Sequence, residues 1–285
     1  MSVVCLPARI ASILALAVPM VSHAALEEYT SFTAGDSANL AASTVERFLW
    51  KSGLECPYTV IRPHSDEVKG FVVFLHGAGD NPTNVSKVAG RLALQEVEYV
   101  LPRAPFPTTV RVADPVNGKM ESFVGNTWLD GTQDLWHDRG AAFSAFLVGR
   151  VIEQILPAHA QGPPLVIVGF RQGAGIAALW AAANPGRVQG LVLVSGYADA
   201  PVREALQAPG LSLRDMPCMA LVGTESPDAV DSGELAVRAR QMGARLETHF
   251  AARRVDLEDD DYALIRAFIQ RCVEASGTPS TPPSR

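Results

Sequence analysis

The sequence is poor in charge and has no excess of basic residues. Of its 285 residues, 19% are charged, the formal net charge is −6 and the pI is near 5.5. Proteins that hold nucleic acid or an anionic membrane on a broad basic surface have the opposite balance, so neither partner is expected. The hydrophobic fraction of 48% is enough for one large domain with a substantial core.

Long apolar runs are lacking after residue 24, so we expect no membrane span in the mature chain. The exception is the run 10–21, which follows Arg9 and precedes the small residues of Ser22-His-Ala24. This order is typical of a secretory signal peptide. An uncleaved anchor is the alternative, although Pro19 interrupts a run of about 12 residues that is already short for a bilayer. We expect residues 1–24 to be removed and the protein to be periplasmic or secreted.

Cysteine is scarce, with four residues in the chain. Loss of Cys5 with the signal peptide leaves Cys56, Cys218 and Cys272, an odd number that allows at most one disulfide within the chain. The sequence does not choose the pair. The spacing fits no zinc site, and we expect neither a metal nor a cofactor.

From residue 58 onward, short apolar runs alternate with longer amphipathic segments. The apolar runs predict strands at Tyr58–Ile61, Phe71–Leu75, Val97–Leu101, Leu165–Val168, Leu191–Val194, Met219–Val222 and Leu246–Phe250. The spacing of apolar residues predicts helices at Val85–Leu94, Gly140–Leu156, Gln172–Ala183, Val230–Met242 and Asp259–Val273. Such alternation predicts an α/β domain with a single doubly wound, mostly parallel sheet and helices on both faces.

The remaining segments show no clear periodicity. Residues 25–55 are interpreted as an N-terminal extension, 56–275 as the α/β domain and 276–285 as a disordered tail rich in Ser, Thr and Pro. The long connection Pro102–Asp138 is expected to lie over the strand ends and to shape the site.

A strand, a sharp turn and an alanine-rich helix follow one another at 165–183. The turn reads Gly169-Phe-Arg-Gln-Gly173. In hydrolases the corresponding pattern is G-x-S-x-G, in which the glycines permit a strained turn that raises the serine above the sheet. The helix N-terminus behind the turn favours negative charge. Here both glycines fit, but the central residue is Arg171.

Five motifs, in order and spacing, resemble the acyl-protein thioesterase/carboxylesterase family. They are Phe71-Val-Val-Phe-Leu-His-Gly-Ala-Gly-Asp-Asn81, Leu101-Pro-Arg-Ala-Pro105, Asn126-Thr-Trp-Leu-Asp130, Gly169-Phe-Arg-Gln-Gly173 and Val194-Ser-Gly-Tyr197. The resemblance covers roughly Tyr58 to Cys272. It implies the α/β-hydrolase fold and a serine hydrolase that acts on carboxylic esters or thioesters.

A serine hydrolase needs a nucleophilic hydroxyl, a histidine that takes its proton and a carboxylate that orients the histidine. The resemblance aligns these three groups with Arg171, Ser226 and Val255. A guanidinium stays protonated and is neither a nucleophile nor a base. No histidine follows His249, so a shift in register does not restore the base. The standard chemistry is therefore not expected.

The anion-binding part of the site does not depend on those side chains. The resemblance implies an oxyanion hole formed by the backbone amides of Ala78 and Gln172, which survive side-chain substitution. Arg171 adds a positive charge beside them. The candidate ligand-binding residues are therefore Ala78, Gln172, Arg171, His76, Gly77 and Trp128.

Two interpretations of Arg171 remain open. In one, a carboxylate or phosphate ligand bridges the guanidinium and the two amides. In the other, the guanidinium pairs with Asp228, Glu225 or Asp80 and fills the cavity. The acidic run Asp256–Asp261 is interpreted as the start of a helix and not as a metal loop.

The leading functional hypothesis is a non-catalytic hydrolase homologue that binds a small anionic or acyl ligand, or a protein partner, through the inherited pocket. The alternative is a carboxylic-ester or thioester hydrolase that keeps the oxyanion hole and uses a relocated base, His137 or His249. A third hypothesis is a protein that only interacts with other proteins and has no pocket. Fold alone does not decide among them.

Overall fold

The computed structural model describes residues 29–32, 40–46, 56–63, 65, 67–113, 119–129, 137–156, 162–224, 229–251 and 257–277. Its strands are β1 (Tyr29–Phe32), β2 (Leu40–Glu46), β3 (Tyr58–Pro63), β4 (Gly70–Leu75), β5 (Val97–Pro102), β6 (Phe106–Ala113), β7 (Met120–Thr127), β8 (Leu165–Phe170), β9 (Gly190–Val194), β10 (Pro217–Gly223) and β11 (Arg245–Ala251). The helices in these ranges are α1 (Pro82–Leu92), α2 (His137–Ile155), α3 (Gln172–Ala183), α4 (Ala200–Ala205), α5 (Ala229–Gln241) and α6 (Asp259–Gly277).

Nine of these strands form one sheet, in the order β1-β2-β3-β5-β4-β8-β9-β10-β11. In this order the neighbouring pairs from β5 to β11 are parallel, whereas the pairs β1–β2, β2–β3 and β3–β5 are antiparallel. Strands β6 and β7 form a separate antiparallel hairpin. This architecture confirms the predicted α/β-hydrolase fold.

The sheet is covered by helices on both faces. Side chains of α2, α3, α4 and α5 form one core with the sheet, and side chains of α1 and α6 form the other. Helix α3 lies at the centre of the first core, and all its residues from Gln172 to Ala182 are buried. A helix that is apolar all round is expected only where it is enclosed, which explains its run of alanines.

The strand order reverses beside β4, which lies between β5 and β8. At such a switch point the connections leave the sheet in opposite directions and open a crevice at the carboxyl ends of the strands. His76 follows β4 and Arg171 follows β8, so the two candidate loops meet at this crevice.

All seven predicted strands and all five predicted helices in the domain are confirmed, with ends that differ by a few residues. Periodicity missed β1 and β2, which extend the sheet from within residues 25–55, and it missed the short helix α4. It also missed the β6–β7 hairpin in the long connection, because the hairpin exposes apolar side chains such as Val124 at 81% and Phe123 at 51%.

The three cysteines of the described residues are all reduced thiols buried in the fold. Cys218 lies in the core under α2 and α3, whereas Cys272 lies in the core under α6, on the opposite face of the sheet. The sheet therefore separates the two sulfur atoms. No helix in the described ranges is long and apolar enough to cross a membrane.

Candidate functional site

The turn between β8 and α3 keeps the backbone geometry of a nucleophile elbow. Arg171 has φ 49° and ψ −116°, a conformation that residues with a side chain rarely adopt. Its backbone N–H donates to the Val194 carbonyl at 2.9 Å, and its own carbonyl accepts from Ala174 N at 3.0 Å and Tyr197 N at 3.2 Å. These bonds tie the turn to the loop after β9 and hold the strained residue in place.

The two glycines that frame the elbow are required by close packing. A Cβ added to Gly173 would lie 2.4 Å from the Leu75 carbonyl oxygen and 2.5 Å from that of His76. A Cβ added to Gly169 would lie 2.4 Å from the Cα of Ala174. The start of α3 therefore lies directly against the loop after β4, which no larger residue permits.

The side chain of Arg171 lies beside the loop after β4. A Cβ built on Gly77 would be 3.4 Å from the Arg171 Cβ and 3.5 Å from its Cδ. Arg171 is partly exposed, and Ala78, the next residue of the loop, is exposed. The structure thus places Arg171 beside Gly77, with Ala78 next in the loop.

His76 supports this loop from inside the protein and is fully buried. The backbone N–H of Ala104 donates to Nε2 at 3.0 Å, so the proton is on Nδ1, which lies 2.8 Å from the Gly77 carbonyl oxygen. Burial lowers the pKa of His76, because desolvation disfavours the charged ring. A neutral imidazole with both nitrogens bonded fixes the loop and has no free nitrogen for proton transfer.

Trp128 connects the same loop to α2. It is fully buried, and its ring lies 5.3 Å from that of His76 between centroids. Its Nε1 donates to the His76 carbonyl at 2.7 Å, and its own carbonyl accepts a hydrogen bond from Ser144 Oγ. His76 and Trp128 are therefore placed behind the candidate site, as supports for the residues that face it.

Two backbone amides lie beside Arg171, those of Ala78 and Gln172. Within the described ranges, no group accepts a hydrogen bond from the N–H of Ala78. The N–H of Gln172 lies in the first turn of α3, where an α-helix leaves its amides without internal partners. Both amides stand beside Arg171, so two dipoles and one positive charge lie close together at this turn.

Asp80 is one of the acids considered as a partner for Arg171. Its Oδ1 accepts from the backbone N of Asn81 at 2.8 Å and from Asn84 Nδ2 at 2.6 Å. Asn81 in turn caps α1 by accepting from the amides of Thr83 and Asn84. The carboxylate of Asp80 thus organises the start of α1. Glu225 and Asp228 lie outside the described residues.

The other positions predicted from the sequence are only partly described. Ser226 and Val255 lie outside the described residues, as does the side chain of His137 at the start of α2. His249 lies within β11 and pairs with Leu221, whose side chain belongs to the core under α6. Neighbouring residues of parallel strands point to the same face, so His249 points toward α6 and not toward the crevice.

The acidic residues Asp259, Asp260 and Asp261 occupy the first turn of α6, which agrees with their interpretation as the start of a helix. Among the described residues, no group of three potential ligands is arranged to hold a metal ion.

The profile of the phospholipase/carboxylesterase family matches residues 56–242. This chain belongs to that family. Its matched segment contains the loop after β4, the elbow and the segment around Trp128, so the family assignment and the site rest on the same residues. A search of curated protein sequences found no significant match.

Solved structures of two carboxylesterases and of an acyl-protein thioesterase share the fold. A carboxylesterase from Mesorhizobium loti is 18% identical with a TM-score of 0.56, over 79% of this chain and 98% of its own. Acyl-protein thioesterase 2 from Zea mays is 16% identical with a TM-score of 0.52, over 76% of this chain and 98% of its own. A Bacillus cereus carboxylesterase is 16% identical with a TM-score of 0.54, over 76% of this chain and 94% of its own. At these identities the likeness shows the fold and leaves the activity open.

One part of the site was not found from the sequence. The side chain of Gln172 is 6% exposed and bonds to Thr127, Trp128 and Asp199. Thr127 and Trp128 lie in a segment that the sequence singled out, but nothing in the sequence connects them to the elbow. Asp199 stands in no recognised motif, so only the structure could reveal its contact.

Proposed function

We propose that this protein is a non-catalytic member of the phospholipase/carboxylesterase family that binds a small anionic or acyl ligand at the former active site. The observation that carries the proposal is Arg171 at the tip of an intact elbow, next to the amides of Ala78 and Gln172. A guanidinium cannot attack a carbonyl, but it binds carboxylate or phosphate through paired hydrogen bonds.

The electrostatics of the elbow favour a bound anion. An arginine at a helix N-terminus is unfavourable by about 0.3–1 kcal/mol unless negative charge accompanies it. The helix end, the two amides and the guanidinium all attract the same kind of group. An anion bound between them offsets the repulsion, whereas an ordinary neutral ester does not.

Titration calorimetry of residues 25–285 with acetate, octanoate and phosphate tests this proposal. We expect at least one anion to bind, and we expect Arg171→Ala to weaken binding about tenfold to a hundredfold, since a charged hydrogen-bonding partner is lost. Arg171→Lys keeps the positive charge but loses the planar guanidinium, so its affinity should lie between those of wild type and Arg171→Ala. Tighter binding of octanoate than of acetate would identify an acyl ligand. Equal affinities of wild type and Arg171→Ala would refute the role of Arg171 in binding the anion.

The alternative function, ester or thioester hydrolysis by a relocated base, has the retained oxyanion amides in its favour. The orientation of His249 toward α6 is against it. Hydrolysis of short- and medium-chain nitrophenyl esters distinguishes the two functions, with Arg171→Ala and His249→Ala measured alongside. We expect the buffer rate for all three proteins. Turnover by wild type that His249→Ala abolishes would establish the alternative.

We also propose that the protein is exported and acts in the periplasm or outside the cell, because residues 1–24 have the pattern of a secretory signal peptide. Intact-mass analysis of the full chain expressed in a bacterium provides the test. A mature protein that begins at Ala25 supports export, and an uncleaved N-terminus in the cytosolic fraction contradicts it.

A further inference from the structure

We propose that Gln172 is a positioning residue, whose side chain sets the relative position of the two amides that bind the anion. The inference rests on the proposed function, because it concerns the same site. It goes further in assigning a role to the side chains of Gln172 and Asp199, where the oxyanion hole uses only the backbone of Gln172.

The side chain of Gln172 bridges two loops that surround the elbow. Its Oε1 accepts from Thr127 Oγ1 at 2.8 Å and from the backbone N of Trp128 at 2.9 Å. Its Nε2 donates to Asp199 Oδ2 at 2.9 Å. The same residue therefore presents its backbone N–H to the site and anchors its side chain to the end of β7 and to the loop before α4.

A continuous series of hydrogen bonds then reaches the second amide. Gln172 Oε1 holds the backbone of Trp128, and Trp128 Nε1 donates to the carbonyl of His76 at 2.7 Å. His76 is followed by Gly77 and Ala78, the residue that carries the other amide. Two donors on separate loops must be held at a fixed separation to bind one anion well, and this series connects them.

Asp199 provides independent support. It occupies the N-cap position of α4, where an aspartate side chain normally accepts from an amide of the helix, but here its side chain makes no cap hydrogen bond. Its carboxylate instead accepts from Gln172. A hydrogen bond from an amide to a charged carboxylate is stronger than one between neutral groups, so Asp199 fixes the orientation of the Gln172 amide group.

The test exchanges the chemistry of this pair without changing its shape. Gln172→Glu keeps an acceptor for Trp128 but places a second carboxylate against Asp199, where a donor is needed. Asp199→Asn in the same chain restores a donor opposite the new acceptor. We expect Q172E to weaken binding of the best anion about tenfold, and the double variant Q172E/D199N to recover most of the wild-type affinity.

A second measurement does not depend on ligand. The backbone amide signals of Trp128 and Ala78 in ¹⁵N NMR spectra should shift in Q172E and return toward wild type in Q172E/D199N. If wild type binds no anion, the proposed function fails, while these signals still test the positioning role. Unshifted signals in Q172E would show that the side chain only fills space, and a double variant that remains as impaired as Q172E would show that the pair with Asp199 does not set the position. Either result would overturn the inference.

Discussion

Gly173 and Arg171 lie in the same turn, yet the fold constrains them very differently. Gly173 has the backbone of the loop after β4 within 2.5 Å of where its Cβ would be, so its identity is imposed by packing. Arg171 is partly exposed at the tip, and its backbone conformation is held by hydrogen bonds that any residue makes. The base of the elbow thus belongs to the fold, and the tip is where the chemistry can change while the fold persists.

The largest effect is expected at the base of the elbow. Gly173→Ala should lower the free energy of unfolding by about 3 kcal/mol, because the new methyl group meets backbone carbonyls that cannot move aside. Gly233→Ala is the matched control, since a Cβ there meets nothing within 4 Å and the residue lies in helix α5. It should raise stability by about 0.8 kcal/mol. Urea unfolding measures both, and equal stabilities would show that packing does not require glycine at position 173.

The tip should carry backbone strain that glycine relieves. With φ 49° and ψ −116°, Arg171 has a conformation that costs about 1–3 kcal/mol for a residue with a side chain. Arg171→Gly should therefore be more stable than Arg171→Ala by about 1 kcal/mol, although both lose the guanidinium. Thermal and urea unfolding of the pair measure the difference. An Arg171→Ala variant as stable as Arg171→Gly would show that the turn relaxes when its tip is changed.

His76, which lies behind the site, should make the stability of the protein depend on pH. Burial lowers the pKa of His76 below its ordinary value of 6.5, so the unfolded chain binds a proton that the folded protein rejects. This contribution to stability is complete above pH 6.5 and is lost as pH falls below it. His76→Asn keeps a donor for the Gly77 carbonyl and cannot titrate. Its free energy of unfolding should decline less steeply than that of wild type between pH 7 and pH 5, and parallel declines would contradict the assignment.

The smallest effect concerns the three buried thiols. Burial raises the pKa of Cys56 and Cys218 to about 12 and that of Cys272 to about 11. Because the thiolate is the reactive form, none should react with a thiol reagent in the native protein at pH 8. In denaturant, residues 25–285 should react at all three without prior reduction. Fewer reactive thiols in denaturant would indicate a disulfide.

The sequence was sufficient for the elements that bury continuous apolar runs. Strands β4, β8 and β9 and helix α3 are almost wholly buried, so composition alone identifies them. It was insufficient for β2, whose Leu-Ala-Ala-Ser-Thr-Val-Glu sequence lacks alternation. It was also insufficient for the β6–β7 hairpin, which exposes apolar side chains such as those of Phe123 and Val124.

Some residues of the site could likewise be located from the sequence, and others could not. Gly169, Gly173 and Arg171 could be located because a motif with fixed spacing defines the elbow. The contact between Gln172 and Asp199 could not, because it joins residues whose meeting depends on how two separate loops return to the crevice. Side-chain networks of this kind have no period and no spacing that a single sequence reveals.

The most direct test of the account is an acetate and phosphate titration of residues 25–285 followed by ¹⁵N NMR of individual backbone amides. The account predicts that the amides of Ala78 and Gln172 shift together, with one dissociation constant, in wild type and much less in Arg171→Ala. If these two amides stay unchanged while the anion binds elsewhere, or shift equally in Arg171→Ala, then Arg171 does not form an anion site with the amides of Ala78 and Gln172.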